Sequence, residues 1–91
     1  LSRFGRSAAL LIGTLDPKNG AFALTITAST PRPVKLSYTE VPLADDLHTR
    51  IESEIPANAY HDDIHGLPAW RRHMTLHFAE EIRRELAGAA R

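Results

Sequence analysis

Apolar and polar positions alternate over Ala21–Ala28. Phe22, Leu24, Ile26 and Ala28 fall on one side and Ala23, Thr25 and Thr27 on the other, which predicts a strand with one buried face. The preceding stretch, Ser7–Leu15, also suits a strand, and its consecutive Leu10, Leu11 and Ile12 are consistent with cover on both faces. Between the two lies Asp16-Pro17-Lys18-Asn19-Gly20. Asp bonds the following backbone, Pro presets φ and Asn-Gly accepts positive φ, so the pair should form a hairpin. Thr30-Pro31-Arg32-Pro33 withholds two ladder hydrogen bonds and reads as an extended bend or an edge. Val34, Leu36 and Tyr38 then share one face of a short third strand.

After Pro42 the apolar spacing lengthens to four: Leu43, Leu47, Ile51 and Ile55 predict a helix that ends at Pro56, with Asp45 and Asp46 at the positive end of its dipole. Pro56–Gly66 is polar, irregular and rich in Asp and His. A second helix is predicted from about Leu67 to Leu86, with Leu67, Trp70, Met74, Phe78, Ile82 and Leu86 as its apolar stripe. Pro68 suits its first turn, and Asp62 and Asp63 are candidates to cap it. The expected fold is α+β, a small antiparallel sheet of two to three strands packed against two helices, with residues 1–91 as a single domain. Trp70 is placed in the core, so Trp70→Ala should cost about 3–5 kcal/mol.

Composition narrows the function classes. The 91 residues hold no cysteine, which excludes disulfides, thiolate metal sites and a cysteine nucleophile within the chain. Eleven basic side chains balance eleven acidic ones, so no bulk charge draws the chain to nucleic acid. The balance conceals a pattern: residues 1–40 carry net +3, residues 41–63 net −5 and residues 64–91 net +2. The longest apolar run, Ala8–Ile12, is far short of a bilayer span of ~20 residues. A chain that opens on Leu1 is expected to be a piece of a longer polypeptide.

No arrangement of residues reads as catalytic. His61/His65 and His73/His77 have the spacing at which two imidazoles on a helix share a metal, but Met74 stands where the metalloprotease motif has its glutamate. Structural or surface histidines are therefore expected, and no metal. Asp45/Asp46, Asp62/Asp63 and Glu80/Glu81 are sequence neighbours, whereas acid–base work needs carboxyls across a cleft. Arg71 and Arg72 point about 100° apart on a helix, so one should pack or pair while the other is solvated.

Two stretches resemble a known family. Thr30-Pro31-Arg32-Pro33-Val34-Lys35-Leu36, followed by Glu40, is similar to its A-P-T-P-V-R-L…E segment. Tyr60-His61-Asp62-Asp63-Ile64-His65-Gly66-Leu67-Pro68-Ala69-Trp70-Arg71-Arg72-His73 is similar to its D-D-V-H-G-S-x-x-Y/W-R-R-H segment. The family is the C-terminal domain of the FAD-binding (medium) subunit of molybdenum hydroxylases, as in carbon monoxide dehydrogenase flavoproteins and xanthine dehydrogenase-like enzymes.

The resemblance implies a non-catalytic domain of a cytoplasmic oxidoreductase that supports electron transfer to FAD. Its partners would be upstream FAD-binding domains and the molybdenum-cofactor and iron–sulfur subunits, with no nucleic acid and no membrane. The family's R-R-x-x-D-I-A-x-V loop near the flavin corresponds to Ser2–Leu10. Arg3 keeps the arginine, and Arg6 or Ser7 stands at the acidic position. The resemblance thus places Arg3 and Arg6 nearest FAD, and makes Asp62, Asp63, Trp70, Arg71 and Arg72 structural or interface residues. The alternative is a free-standing protein-interaction module of the same fold without flavin.

Overall fold

The computed structural model describes residues 2–6, 9–27, 30, 32–56, 59–60 and 67–89, with the backbone alone for 2–6 and 89. Four strands, β1 (Ser2–Arg6), β2 (Ala9–Leu15), β3 (Phe22–Thr27) and β4 (Val34–Tyr38), precede two helices, α1 (Ala44–Glu54) and α2 (Pro68–Ala89). The strands form one antiparallel meander in the order β1-β2-β3-β4. The α+β class with an antiparallel sheet against two helices is as the sequence predicts, and the sheet extends by one strand beyond the expected two or three. That strand is β1. Its sequence, SRFGR, has one large apolar residue in five, too few to reveal a period of two. Arg3 and Arg6 therefore lie on a strand, in register with Ile12 and Ala9, where the resemblance implied a loop.

The β2–β3 hairpin forms for the reasons its sequence suggests. The Asp16 carboxylate Oδ1 accepts from the Lys18 N–H at 2.8 Å, and the Asn19 Oδ1 accepts from the Ala21 N–H at 2.9 Å. The Gly20 N–H donates to the Asp16 carbonyl at 2.8 Å, and Gly20 takes φ +75°, where a Cβ would be strained. The register Leu11↔Ile26 and Gly13↔Leu24 puts Ala9, Leu11, Phe22, Leu24 and Ile26 on the buried face. Leu36 of β4 joins them opposite Leu24.

Helix α1 buries Leu47 and Ile51, and Ile55 closes the row just beyond it. Leu43, expected in that row, is 72% exposed because it is the N-cap, with extended backbone outside the helical period. The Leu47 N–H donates to its carbonyl at 3.0 Å.

Helix α2 lies across β2 and β1 and packs beside α1. It buries Arg71, Thr75, Phe78, Ala79, Ile82 and Leu86. The placement of Trp70 in the core is overturned: Trp70 is 51% exposed and Leu67 66%. Helical geometry explains the shift. At about 100° per residue, a stripe spaced by four drifts about 40° per step, so one straight helix cannot keep all of it on the sheet. The C-terminal half governs the docking. Trp70 then lies about 120° around the helix from Ile82, whereas Arg71 and Thr75 lie within about 20° of it. Met74, between these extremes, is half-buried against the core. Gly13 on β2 permits the close approach: a Cβ built there would stand 2.3 Å from Ile82 Cγ2 and 3.2 Å from Leu86 Cδ1.

Candidate interaction surface

The turn of α2 that leaves the core presents rings to solvent. Trp70 and His73 stack with centroids 5.7 Å apart and planes 28° apart. His73 and His77 continue the stack at 6.4 Å and 12°, and His77 meets the edge-buried Phe78 at 5.7 Å. Positions 70, 73 and 77 share one helix face, so the ladder follows from spacing once α2 has docked through 78, 82 and 86. Trp70, His73 and His77 are all exposed. A preordered aromatic surface that loses little rotamer freedom on contact is the kind of anchor that protein interfaces use.

The adjoining corner is braced by ions. Arg72 pairs with Glu52, tying α2 to α1, and His48 Nε2 lies 3.6 Å from the same carboxylate. Arg50 holds Glu54 at 3.0 Å along α1, and its guanidinium lies 5.8 Å from the centre of the Tyr38 ring. Tyr38 in turn meets Phe22 edge-on at 6.0 Å. Tyr60 is buried beneath this corner. Burial, reinforced by the Glu52 carboxylate and opposed by Arg72, pushes its phenol up to about 12. Farther along α2, Arg83 grips both oxygens of Glu80, with Nε at 3.0 and 2.9 Å, and Arg84 adds a contact at 3.3 Å. The Arg83 hydrogen bond, outweighing burial, holds the Glu80 carboxyl below its usual range.

The arginine pair divides only in part as expected, because Arg71 packs while Arg72 pairs with Glu52 instead of being left to solvent. Arg71 is 2% exposed, in the buried row of α2 that includes Ile82, and Arg72 forms the bridge. Its neighbour in that row, Thr75, donates its hydroxyl to the Arg71 carbonyl at 2.7 Å. Neither Arg71 nor Thr75 was legible as core, because their residue types argue for the surface. Asp62 and Asp63 lie outside the described residues, as do His61 and His65. Arg3 and Arg6 are placed on β1, which lies with β2 against α2.

Among the described residues no group of three or more His, Asp or Glu side chains converges as a metal site. No described helix is long and apolar enough to cross a membrane. No family model, curated protein or solved structure matches the chain.

Proposed function

We propose that the chain is a non-catalytic docking domain of the FAD-binding subunit of a cytoplasmic molybdenum-hydroxylase-type oxidoreductase. The observation that carries the docking role is the exposed, stacked Trp70–His73–His77 ladder beside the Arg72–Glu52 brace. Trp70, Arg71, Arg72 and His73 also belong to the longer of the two stretches that resemble the family. In this reading the ladder meets the FAD-binding domains of the same subunit or the molybdenum and iron–sulfur subunits. Arg71 and Arg72 brace the corner beside it, and Arg3 and Arg6 on β1 stand nearest the flavin. Electron transfer is left to cofactors held elsewhere, and this domain fixes their bearers in place.

The test is to purify the encoded polypeptide with its flanking sequence and record its visible spectrum. Bound FAD is expected, and a full-length product without flavin refutes the cofactor part. Trp70→Ala in that preparation should release partner subunits on size-exclusion chromatography while leaving the fold intact.

The second reading, a free-standing interaction module without flavin, draws on the same exposed ladder. The reading frame separates the two: about two further domains upstream favour the flavoprotein subunit, and a start codon immediately before Leu1 favours the module.

A further inference from the structure

The sheet face opposite the helices carries a second feature that the docking role does not use. Where β2 and β3 enter their turn, an open shelf of about 530 Å³ lies along the sheet and continues onto β4. Register builds its floor: Thr14, Ala23 and Ser37 stand abreast on three neighbouring strands, with the small Ala23 between two hydroxyls. The turn raises one wall and brings Lys18 to it. Lys35, two residues before Ser37 on the same face of β4, stands at the other side. Both lysines are exposed, and among the described residues neither has an ion-pair partner. One carboxylate, Asp16, shares the shelf, and its Oδ1 is engaged by the Lys18 N–H. The shelf therefore keeps a net positive charge, in the half of the sequence that carries the +3 excess. Pro17 adds an apolar surface beside it.

The geometry points to a binding site for a small organic phosphate on this shelf. The phosphate lies between the Lys18 and Lys35 ammonium groups, which hold it as point charges, and accepts hydrogen bonds from the Thr14 and Ser37 hydroxyls. The phosphate thus sits over Ala23, and the organic body lies over Pro17. This site is independent of α2 and of the proposed docking role.

The experiment titrates the isotopically labelled chain with inorganic phosphate and, separately, with adenosine monophosphate at constant ionic strength, following amide shifts by NMR. Saturable shifts confined to Thr14, the turn, Ala23 and Ser37 are expected, with adenosine monophosphate binding more tightly than phosphate alone. Lys18→Gln and Lys35→Gln, both at exposed positions, should each weaken binding about tenfold, the value of one charge-assisted hydrogen bond. Asp16→Asn keeps the Oδ1 acceptor for the turn and removes the negative charge, so it should tighten binding. Shifts that fail to saturate, shifts spread over the arginines of α2, or undiminished binding in both lysine variants overturn the site. Equal affinity for the two ligands overturns the organic part of the assignment.

Discussion

Gly13→Ala probes the contact on which the helix–sheet packing depends. The added Cβ would sit 2.3 Å from Ile82 Cγ2, 3.2 Å from Leu86 Cδ1 and 3.6 Å from Ile82 Cβ. Carbon atoms rest at about 3.5–4.0 Å, so the first separation must open by more than about 1 Å. Ile82 is fully buried and cannot swing into solvent, so α2 itself must shift from β2. Overpacking of this kind costs about 1–3 kcal/mol. The smaller unfolded-state entropy of Ala returns about 0.4–1 kcal/mol, which leaves a net loss. For a chain of this length the melting temperature should fall by about 4–8 °C per kcal/mol lost. Urea and thermal unfolding followed by circular dichroism measure it. The decisive variant is the double one. Ile82→Leu moves the branch from Cβ to Cγ and removes the clashing methyl, so Gly13→Ala should cost less in that background, with a coupling of about 0.5–3 kcal/mol. An unchanged midpoint for Gly13→Ala, or the same loss in both backgrounds, refutes the packing argument.

The remaining predictions concern the packing of α2, the buried Tyr60 phenol and the Glu80 carboxylate. Trp70→Ala should change stability by less than about 1 kcal/mol, whereas Ile82→Ala should cost about 2–5 kcal/mol; thermal melts that reverse this order would return Trp70 to the core. Tyr60 binds its proton more tightly when folded, so between pH 10 and about 12 the unfolded chain has released the proton that the native chain retains. Its contribution to stability is thus complete below pH 10 and declines as pH rises through that window. Urea midpoints measured across it should fall, and Tyr60→Phe should flatten the fall. Glu80 has the opposite sign: its lowered carboxyl stabilises the fold above the ordinary glutamate range, and that contribution disappears as pH drops through the folded value. Glu80→Gln should shallow the acid limb of the stability profile, less visibly in high salt because the pair is partly exposed.

Much of the fold was legible because local signals agreed. Asp16, Asn19 and Gly20 form the bonds and the positive φ that the turn sequence implies, and Phe22, Leu24 and Ile26 face inward as their alternation requires. Leu47, Ile51 and Ile55 likewise recur at the buried spacing. Two elements were illegible for physical reasons. Strand β1 is defined by its pairing with β2, not by an apolar period of its own. The N-terminal half of α2 carries an apolar stripe whose spacing of four fits the core only from Phe78 onward. Before that point the helix has to give its inner row to Arg71 and Thr75 and its outer row to Trp70. The interaction surface was named through Trp70, Arg71 and Arg72, but its ladder needed the helix rotation that only packing supplies. The phosphate shelf was less legible still, since cross-strand register alone puts Thr14, Ala23 and Ser37 side by side.

The contact of α2 with β1 and β2 joins the last of the described elements to the first two of them. Hairpin neighbours meet across short loops, so the meander can assemble while the chain is still being synthesised. Its buried face cannot be sealed until Ile82 and Leu86 have emerged, because they are the side chains that press against Gly13. Until then the nascent polypeptide exposes an aliphatic sheet, and its solubility depends on whatever shields that face before the final helix arrives.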